Sequence, residues 1–468
     1  MIAASIASAI GAPEGAIKLI LTIFIGYPLA LIHRIPALYQ APPVLKHILF
    51  TLEGLTLCYY NFGVDTVHTW LNITITYLVL FFCGGSKFSV IFIFVFNTCY
   101  LILGYYSTIS FQEFGISWTM PHCVLTLRLT AVAIDYYDGK KSKESEKTAV
   151  SDSALPQRPG YLEMLGHSFF FGGVLVGPQF SMKRYLKFVN GDFADKQTGL
   201  APDSISASLK RMAGGMMYLI MFQALALYIP DDYITSQAFD NLGLMTKCAL
   251  ILLWGKNALH KYVGVWLIQE GSIIMTGMSY NGKENGVKKW DGCTNIKVWQ
   301  LESGESFSDF IQAFNVNTNQ WMAKYIYKRL RFLGSKILSQ LITLFYLALW
   351  HGLQSGYYMC FFLELVETNA ETQVIWVLKN YIPKTKLTDL FILRLLGRLL
   401  RKVLLMFLWS YALVSFVLLD YYKWNHVYTS VYYIGHVACI LVMFGGFFLK
   451  SLSKPKREVN GIHPEKAD

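Results

Sequence analysis

Long apolar stretches separated by short polar ones dominate this chain of 468 residues. Each stretch approaches the length of about 20 residues that a helix needs to cross the hydrocarbon core of a bilayer. The pattern predicts membrane spans at Ile17–Ile32, His47–Phe62, Thr69–Phe82, Phe88–Tyr106, Ala213–Tyr228, Cys248–Gln269, Ile337–Leu363, Val403–Leu419 and Val431–Phe448. A further stretch, Met120–Ala133, is apolar except for Arg128. We expect roughly nine to eleven membrane segments, and therefore an all-α polytopic membrane protein.

Two segments are polar enough to lie in water. Gly139–Gly160 is charged and rich in serine, which predicts a soluble loop or a disordered linker. The chain from Ser451 onward is also polar. We expect one membrane-embedded domain over residues 1–450, with a soluble loop at residues 139–160, and a polar C-terminal tail at residues 451–468.

Two other segments depart from a simple span. Tyr161–Phe180 is apolar but contains four glycines and Pro178, which predicts a re-entrant or discontinuous segment. Irregular backbone at membrane depth must be buried in protein or line a cavity. Glu305–Lys336 is amphipathic rather than apolar, so we do not expect it to face lipid on all sides.

Composition supports a membrane protein and limits the possible partners. Only 15% of the residues are charged, whereas soluble domains carry about 25%. The net charge of +11 fits Lys and Arg in cytoplasmic loops, so we expect no nucleic acid; a polyphosphorylated substrate is a second explanation. The eight cysteines form no CxxC pair, and we expect no metal site and no bound cofactor.

One histidine stands out among the predicted spans. Ile337–Leu363 contains no Asp, Glu, Lys or Arg, and His351 lies near its middle. An ionisable group at that depth is a candidate for function, because desolvation keeps the imidazole neutral and able to accept a proton. The alternative is a histidine that makes one buried hydrogen bond between helices.

Four side-chain amides lie close together before this span. Asn315, Asn317, Asn319 and Gln320 fall within six positions, beside apolar segments. Amides donate and accept hydrogen bonds without carrying charge. The alternative is a cluster of helix N-caps, which accounts for some of the four more easily than for all.

Spacing relates the amides to the histidine. We predict a helix from about Thr318 to Leu333 that stops at Gly334, and a second helix capped by Ser335. Asn315 lies 19 residues before Gly334 and His351 lies 17 after it. At 1.5 Å per residue these arms measure about 28 and 26 Å, so a helical hairpin would bring the two side chains to one level.

Basic residues flank the candidate site. Lys324, Lys328 and Arg331 recur at i, i+4 and i+7, which predicts that they share one helical face. This face either anchors the chain at the cytoplasmic surface or binds phosphate groups. A second cluster, Lys183, Arg184 and Lys187, follows the broken segment and has the same two explanations.

Several sequence strings carry a resemblance to a known family. They are FNVNTNQW (Phe314–Trp321), YIYKRL (Tyr325–Leu330), LALWHGLQSGY (Leu347–Tyr357), WTMPHCVLTLRL (Trp118–Leu129), DYYDG (Asp135–Gly139), LVGPQFSM (Leu175–Met182) and WDGCTNIKVW (Trp290–Trp299). At these strings the chain resembles the membrane-bound O-acyltransferase family, and in particular its lysophosphatidylcholine acyltransferases. The similarity is weakest at the first residues, at residues 139–160 and after Thr368.

The resemblance implies about eleven transmembrane helices around an internal chamber, usually in the endoplasmic reticulum membrane. It implies transfer of a fatty acyl group from acyl-CoA, as co-substrate, to the free hydroxyl of a lysophospholipid. The family's two catalytic positions fall on His351 and Asn315. Many members carry Trp before that asparagine, and Phe314 keeps an aromatic ring there.

These expectations define a reaction and its residues. His351 would take the proton of the hydroxyl as general base, and Asn315 would hold the hydroxyl or the developing oxyanion. Further candidates for substrate binding are Asn317, Asn319, Trp350, Lys324, Lys328 and Arg331.

The expected acceptor is the sn-2 hydroxyl of lysophosphatidylcholine, with lysophosphatidylserine and lysophosphatidylethanolamine as further acceptors and polyunsaturated acyl chains as donors. One alternative is a peptide or other lysolipid acyltransferase of the same family. Another is a transporter with a buried functional histidine, since broken helices also occur in transporters.

Overall fold

The computed structural model describes residues 2–11, 13–110, 116–145, 152–381 and 391–453. Within them the chain forms α1 (Ile2–Ile10), α2 (Glu14–Ile32), α3 (Pro36–Tyr39), α4 (Pro43–Phe62), α5 (Thr66–Cys83), α6 (Lys87–Ser110), α7 (Thr119–Ser145), α8 (Tyr161–Phe169), α9 (Met182–Val189), α10 (Ile205–Ala226), α11 (Gln237–Asp240), α12 (Leu244–Thr276), α13 (Val298–Ser303), α14 (Phe307–Ala313), α15 (Val316–Tyr325), α16 (Lys336–His351), α17 (Ser355–Tyr381), α18 (Phe391–Leu418), α19 (Tyr421–Ser430) and α20 (Ile434–Leu452). Short 3₁₀ helices lie at Gly63–Asp65, Tyr233–Thr235 and Tyr327–Leu333. Two antiparallel strands, β1 (Lys283–Glu284) and β2 (Val287–Lys288), pair Lys283 with Lys288.

Length and apolar composition mark five candidate membrane spans in the described part of the chain. They are Glu14–Ile32, Pro43–Cys83, Lys87–Ile109, Arg394–Leu418 and Ile434–Leu452. Large apolar side chains on these helices face outward, as lipid-facing positions do; Leu103 is 65% exposed and Leu441 is 67% exposed. The prediction of an all-α membrane protein is confirmed, and the number of about eleven spans stays a prediction.

The loop at residues 139–160 is more ordered than predicted. α7 continues to Ser145, and after a gap in the described residues Ala154 and Leu155 are buried against it. The Leu155 N–H donates to the carbonyl oxygen of Asp135 at 2.9 Å, and Ser153 donates to the Asp135 carboxylate at 2.6 Å. The prediction of a loop or disordered linker was wrong for residues 139–145, which continue α7, whereas residues 152–160 form a loop that Asp135 holds in place. Residues 454–468 of the predicted tail lie outside the described residues.

The broken segment predicted at Tyr161–Phe180 is confirmed. α8 ends at Phe169, and residues 170–181 are buried for the most part but form no helix. The buried carbonyl groups of such a segment need hydrogen-bond donors within the protein, since an unpaired buried polar group is costly.

Arg128 of α7 supplies those donors. Its guanidinium donates to the carbonyl oxygens of His167, Ser168 and Gly173 at 3.0, 3.1 and 3.0 Å. It also stacks on the Phe180 ring at 4.6 Å. One buried cation therefore fixes the shape of the irregular chain, which explains why an apolar stretch contains an arginine.

α7 also receives hydrogen bonds from the opposite side. The indole of Trp321 in α15 donates to the carbonyl oxygen of Leu127 at 2.9 Å. The indole of Trp350 in α16 donates to the carbonyl oxygen of Cys123 at 2.7 Å. Because these bonds are direct and lie wholly or partly out of water, α7 sets the position of α15 and α16 relative to the broken segment.

Close helix contacts complete the core around the site. A Cβ on Gly54 of α4 would lie 1.6 Å from the carbonyl oxygen of Phe169, so only glycine allows α4 to approach the end of α8. Phe50, Phe170 and Phe171 fill the adjoining space and are almost fully buried. The long helix α12 packs on the other side, against α2, α10 and α18.

Replacing Arg128 by methionine should lower the melting temperature of the protein in detergent strongly. The change leaves several buried carbonyl groups without donors, at about 1–3 kcal/mol for each, so a loss above about 3 kcal/mol is expected. The measurement is thermal unfolding of purified protein.

Arg329→Met is the matched control, because Arg329 is exposed and pairs with Asp138 at 2.6 Å. Exposed pairs contribute about 0–1 kcal/mol, so its melting temperature should stay near that of the parent. Equal losses in the two variants would contradict the role assigned to Arg128.

Candidate active site

The hairpin predicted around Gly334 is present. Gly334 has φ +67°, the left-handed conformation that favours glycine, and the Ser335 hydroxyl accepts the N–H of Leu338 at 3.3 Å. The prediction of one helix from Thr318 to Leu333 was wrong, because α15 ends at Tyr325 and residues 327–333 form a 3₁₀ helix.

The arms of the hairpin meet in a definite register. The rings of Trp321 and Tyr346 stack with centroids 6.2 Å apart. Trp321 lies 13 residues before the turn glycine and Tyr346 lies 12 after it. Six residues further from the turn, the arms reach Asn315 and Gly352, the neighbour of His351. α15 is helical from Val316 and α16 is helical up to His351, so the helical rise carries this register close to both candidate residues.

His351 does not lie in the middle of a helix. The prediction of one span over Ile337–Leu363 was wrong: α16 ends at His351 and α17 begins at Ser355. Gly352 has φ +151° and ψ −176°, a conformation that ends the helix and that side chains rarely adopt. The imidazole therefore lies at a helix end, where no further turn of α16 covers it.

Aromatic rings surround the His351 imidazole. Tyr357 and Phe361 lie beside it with centroids 5.5 and 5.4 Å away, and Phe416 meets it edge-on at 5.1 Å. The imidazole makes no hydrogen bond to any described residue, and His351 is half-buried. This disfavours a histidine that joins two helices, because both ring nitrogens are left for a ligand.

Trp350 holds the end of α16 in place. Besides its indole bond to α7, its carbonyl oxygen accepts the hydroxyl of Tyr105 at 2.7 Å. These two bonds fix the residue next to His351. The indole N–H and the carbonyl oxygen of Trp350 are therefore both hydrogen-bonded to other residues of the protein, Cys123 and Tyr105.

Asn315 has an unusual backbone conformation. It lies at the N-cap position of α15 with φ +48° and ψ +46°, which asparagine tolerates better than most residues. Its side chain makes no capping bond and no other hydrogen bond to the described residues. The amide is thus free, in contrast to its neighbours.

The neighbouring amides are used by the protein itself. The side chain of Asn319 donates to the carbonyl oxygens of Ile311 and Phe314 at 2.7 and 2.8 Å, and so caps the end of α14. The side chain of Asn317 donates to the carbonyl oxygen of Thr294 at 2.8 Å. The alternative of helix N-caps was wrong for Asn317 and Asn319, because their amides donate to carbonyl groups, while Asn315 occupies an N-cap position without a capping bond.

A chain of rings connects the two candidate residues. Phe314, next to Asn315, contacts Tyr262 of α12 at 6.5 Å. Tyr262 contacts Phe416 at 6.3 Å, and Phe416 contacts His351. Asn315 and His351 thus border one aromatic wall built by α12 and α18.

A cavity of about 410 Å³ opens beside α15. Its basic lining residues are Arg128, Lys183, Arg184, Lys187 and Lys324, against one acidic residue, Asp152. Asn317, Gln320, Trp321 and Lys324 recur at i, i+3, i+4 and i+7, so one face of α15 forms a wall of this cavity. His351 and Asn315 do not line it, but Asn315 begins the helix that does.

The basic residues Lys324, Lys328 and Arg331 do not lie on one surface in the structure. Lys324 lines the cavity and lies 3.1 Å from the buried carboxylate of Asp135. Lys328 and Arg331 are exposed and lie outside the cavity. The prediction that they share a face with Lys324 was wrong, because the helix breaks after Tyr325 and changes its period.

Comparison with known proteins assigns the family. The model of the membrane-bound O-acyltransferase family matches residues 101–418, which include both Asn315 and His351. This chain belongs to that family. It is an O-acyltransferase, which decides against the alternative of a transporter.

Curated relatives cover almost the whole chain. Lysophospholipid acyltransferase 5 of Homo sapiens is 40% identical over 454 residues, which cover 97% of this O-acyltransferase and 93% of that protein. The protein of the same name from Drosophila melanogaster is 37% identical, covering 95% and 88%. The one from Caenorhabditis elegans is 32% identical, covering 92% and 91%. The resemblance inferred from the sequence strings is thereby confirmed.

Sequence reasoning missed several residues of this O-acyltransferase site. Arg128 and Gln179 line the cavity, and Tyr262 and Phe416 form the aromatic wall. A lone arginine in an apolar stretch was a usable signal, because such charges are rarely without function. The aromatic residues carry no comparable signal, since apolar spans contain many rings.

Replacing Gly334 by alanine should lower the melting temperature by the equivalent of about 1–2 kcal/mol, since the left-handed backbone disfavours a side chain. A Cβ there meets nothing within 4 Å, so only backbone strain acts. Gly397 in α18 has equally open surroundings, and Gly397→Ala should be neutral or stabilising. A Gly334→Ala protein as stable as Gly397→Ala would show that the hairpin turn is not left-handed.

Proposed function

We propose that this O-acyltransferase transfers a fatty acyl group from acyl-CoA to the sn-2 hydroxyl of a lysophospholipid, chiefly lysophosphatidylcholine. The curated relatives are named for lysophospholipid acylation and cover the chain nearly end to end. Lysophosphatidylserine and lysophosphatidylethanolamine are further acceptors, polyunsaturated chains are the donors, and the endoplasmic reticulum membrane is the site of action.

The observation that carries the proposal is the register of the hairpin. Extended along the two helices, this register would bring the His351 imidazole and the Asn315 amide to a similar level beside the aromatic wall, and neither group is hydrogen-bonded to a described residue. A base and a hydrogen-bond donor so placed can act on one substrate group. Acyl transfer to a hydroxyl requires this pair of functions.

His351 acts as the general base in this proposal. The lysolipid hydroxyl gives its proton to an imidazole nitrogen as its oxygen attacks the thioester carbonyl carbon. The rings of Tyr357, Phe361 and Phe416 keep the imidazole neutral by withholding water. Exclusion of water also protects the thioester from hydrolysis.

Asn315 stabilises the charge that develops. Its free side-chain amide donates to the attacking hydroxyl or to the oxyanion of the tetrahedral intermediate, a contribution of about 3–4 kcal/mol in comparable sites. When the intermediate collapses, the carbon–sulfur bond breaks and coenzyme A leaves as a thiolate. The proton held by His351 neutralises that thiolate, so no covalent acyl-enzyme is needed.

The basic cavity suits the phosphates of acyl-CoA. Lys183 and Lys187 make no ion pair with the described residues, so their charges are available to a ligand. Lys324 is held in the wall by Asp135 and Ser153. α15 runs from this cavity to Asn315. An acyl-CoA bound by its phosphates in the cavity would therefore extend along this helix toward the reacting groups.

Purified protein should release coenzyme A from polyunsaturated acyl-CoA only when a lysophospholipid is present. Across a panel of headgroups, lysophosphatidylcholine should give the highest kcat/KM, with lysophosphatidylserine and lysophosphatidylethanolamine below it. The measurement is thiol release together with mass analysis of the product. Acylation of a peptide, with all lysophospholipids inert, would overturn the proposal.

Two variants test the chemistry. His351→Ala should abolish turnover, and Asn315→Ala should lower kcat by about 100- to 1,000-fold, as loss of an oxyanion donor does. His426→Ala is the control, because His426 is exposed and pairs with Asp240. Full activity of His351→Ala would rule out His351 as the general base. Full activity of Asn315→Ala would show that Asn315 only starts α15 and takes no part in the reaction.

Removing charge from the cavity should weaken acyl-CoA binding. Lys183→Gln and Lys187→Gln should each raise the KM for acyl-CoA about 5- to 10-fold with little change in kcat, because both act in the ground state and transition state alike. Lys328→Gln and Arg331→Gln, which alter exposed residues, should leave this KM unchanged. A rise for the exposed pair alone would place the phosphates outside the cavity.

A further inference from the structure

A buried carboxylate lies beneath the segment that contains Asn315. Glu270 of α12 is 1% exposed, and one of its oxygens accepts the backbone N–H groups of Asn295 and Ile296 at 2.7 and 2.8 Å. Its other oxygen lies 3.5 Å from the guanidinium of Arg211. A charge buried in this way is costly unless it is paired and hydrogen-bonded. The two N–H groups and Arg211 serve these roles here, although the oxygen nearest Arg211 accepts no hydrogen bond from the described residues.

The loop held by Glu270 is hydrogen-bonded to the start of α15. The carbonyl oxygen of Asn295 accepts the N–H of Val316 at 2.9 Å. The side-chain oxygen of Asn295 accepts the N–H of Asn317 at 3.1 Å. Val316 and Asn317, the first two residues of α15, thus both donate their backbone N–H groups to Asn295.

The same loop also holds the residues before Asn315. The N–H of Lys297 donates to the carbonyl oxygen of Ala313 at 2.9 Å. Phe314 packs its ring on Trp266 of α12, with centroids 5.2 Å apart. The backbone is therefore restrained on both sides of Asn315, which is what a left-handed conformation requires to persist.

One face of α12 supports both the loop and the segment of Asn315. Tyr262, Trp266 and Glu270 are spaced at i, i+4 and i+8, so they lie in a row along the helix. The two rings contact Phe314, and the carboxylate holds the loop. The row faces the segment of Asn315 along its length.

We infer that Glu270 and Asn295 are positioning residues that hold Asn315 in its left-handed conformation and so aim its amide at the reacting oxygen. This rests on the proposed function, in which Asn315 binds that oxygen. Glu270 touches neither substrate in this account and acts only through the loop. A hydrogen-bond relay of this kind affects turnover, because small misplacements of a catalytic group reduce the rate steeply.

The inference predicts a split between kinetic constants. Glu270→Gln keeps an oxygen that can accept an N–H but removes the charge, and it should lower kcat by about 10-fold. The KM for acyl-CoA should stay within about twofold of the parent, because Glu270 itself does not line the cavity. Glu302→Gln is the control: it removes a carboxylate that pairs with Lys256 at 2.7 Å and lies outside the relay.

A double-mutant cycle with Asn315→Ala gives the decisive measurement. If Glu270 acts through Asn315, then Glu270→Gln in the Asn315→Ala background should lower kcat by less than about twofold. Asn295→Ala, which removes the acceptor for the Asn317 N–H, should behave in the same way and replaces Glu270→Gln in the cycle if that variant does not fold.

The two possible failures can be told apart. Equal losses from Glu270→Gln in both backgrounds, with Asn315→Ala itself defective, would overturn the relay and leave the proposed function intact. Full activity of Asn315→Ala would overturn the role of that residue in the reaction, and the relay with it. Melting temperatures of each variant separate loss of positioning from loss of fold.

Discussion

The constraint on which this structure depends is that backbone groups buried at membrane depth must find partners within the protein. Residues 170–181 form no helix and lack its backbone hydrogen bonds. The guanidinium of Arg128 donates to the carbonyl oxygens of His167 and Ser168, just before this segment, and of Gly173 within it. Because Arg128 belongs to α7, the irregular segment is fixed to that helix. Elements that also bond to α7 are therefore fixed in position relative to the irregular segment.

The candidate active site is built on α7 from the other side. Two indole hydrogen bonds, from Trp321 and Trp350, attach the two arms of the hairpin to successive turns of that helix. The level at which Asn315 and His351 lie is then a consequence of where the tryptophans are anchored. The cavity lies between α15 and the end of the broken segment, and Arg128 and Ala131 of α7 form part of its lining.

α15 joins two parts of the proposed reaction. Its cavity-facing side presents Lys324 and Trp321 where phosphates would bind, and its first turn begins at the asparagine that would meet the hydroxyl. α12 supports that first turn through rings and a carboxylate rather than through apolar packing alone. The arrangement combines a frame, from α7 and α12, with one short helix that would reach both proposed substrates, as accurate positioning of a reaction requires.

The sequence by itself determined the membrane class, the broken segment, the turn at Gly334 and the two residues proposed for catalysis. The first three follow from local properties: apolar length, glycine and proline content, and capping residues. Polar groups in apolar surroundings marked His351 and a set of four amides, and the resemblance to the family selected Asn315 and His351 as the catalytic pair. Tertiary structure alone decided that the helix stops at His351, that α15 ends at Tyr325, and that Lys324 turns inward while Lys328 and Arg331 stay exposed. It also decided that Asn317 and Asn319 bond to the protein while Asn315 stays free. Those outcomes depend on groups distant in the chain, such as Asp135, Glu270 and Asn295, whose partners no local pattern specifies.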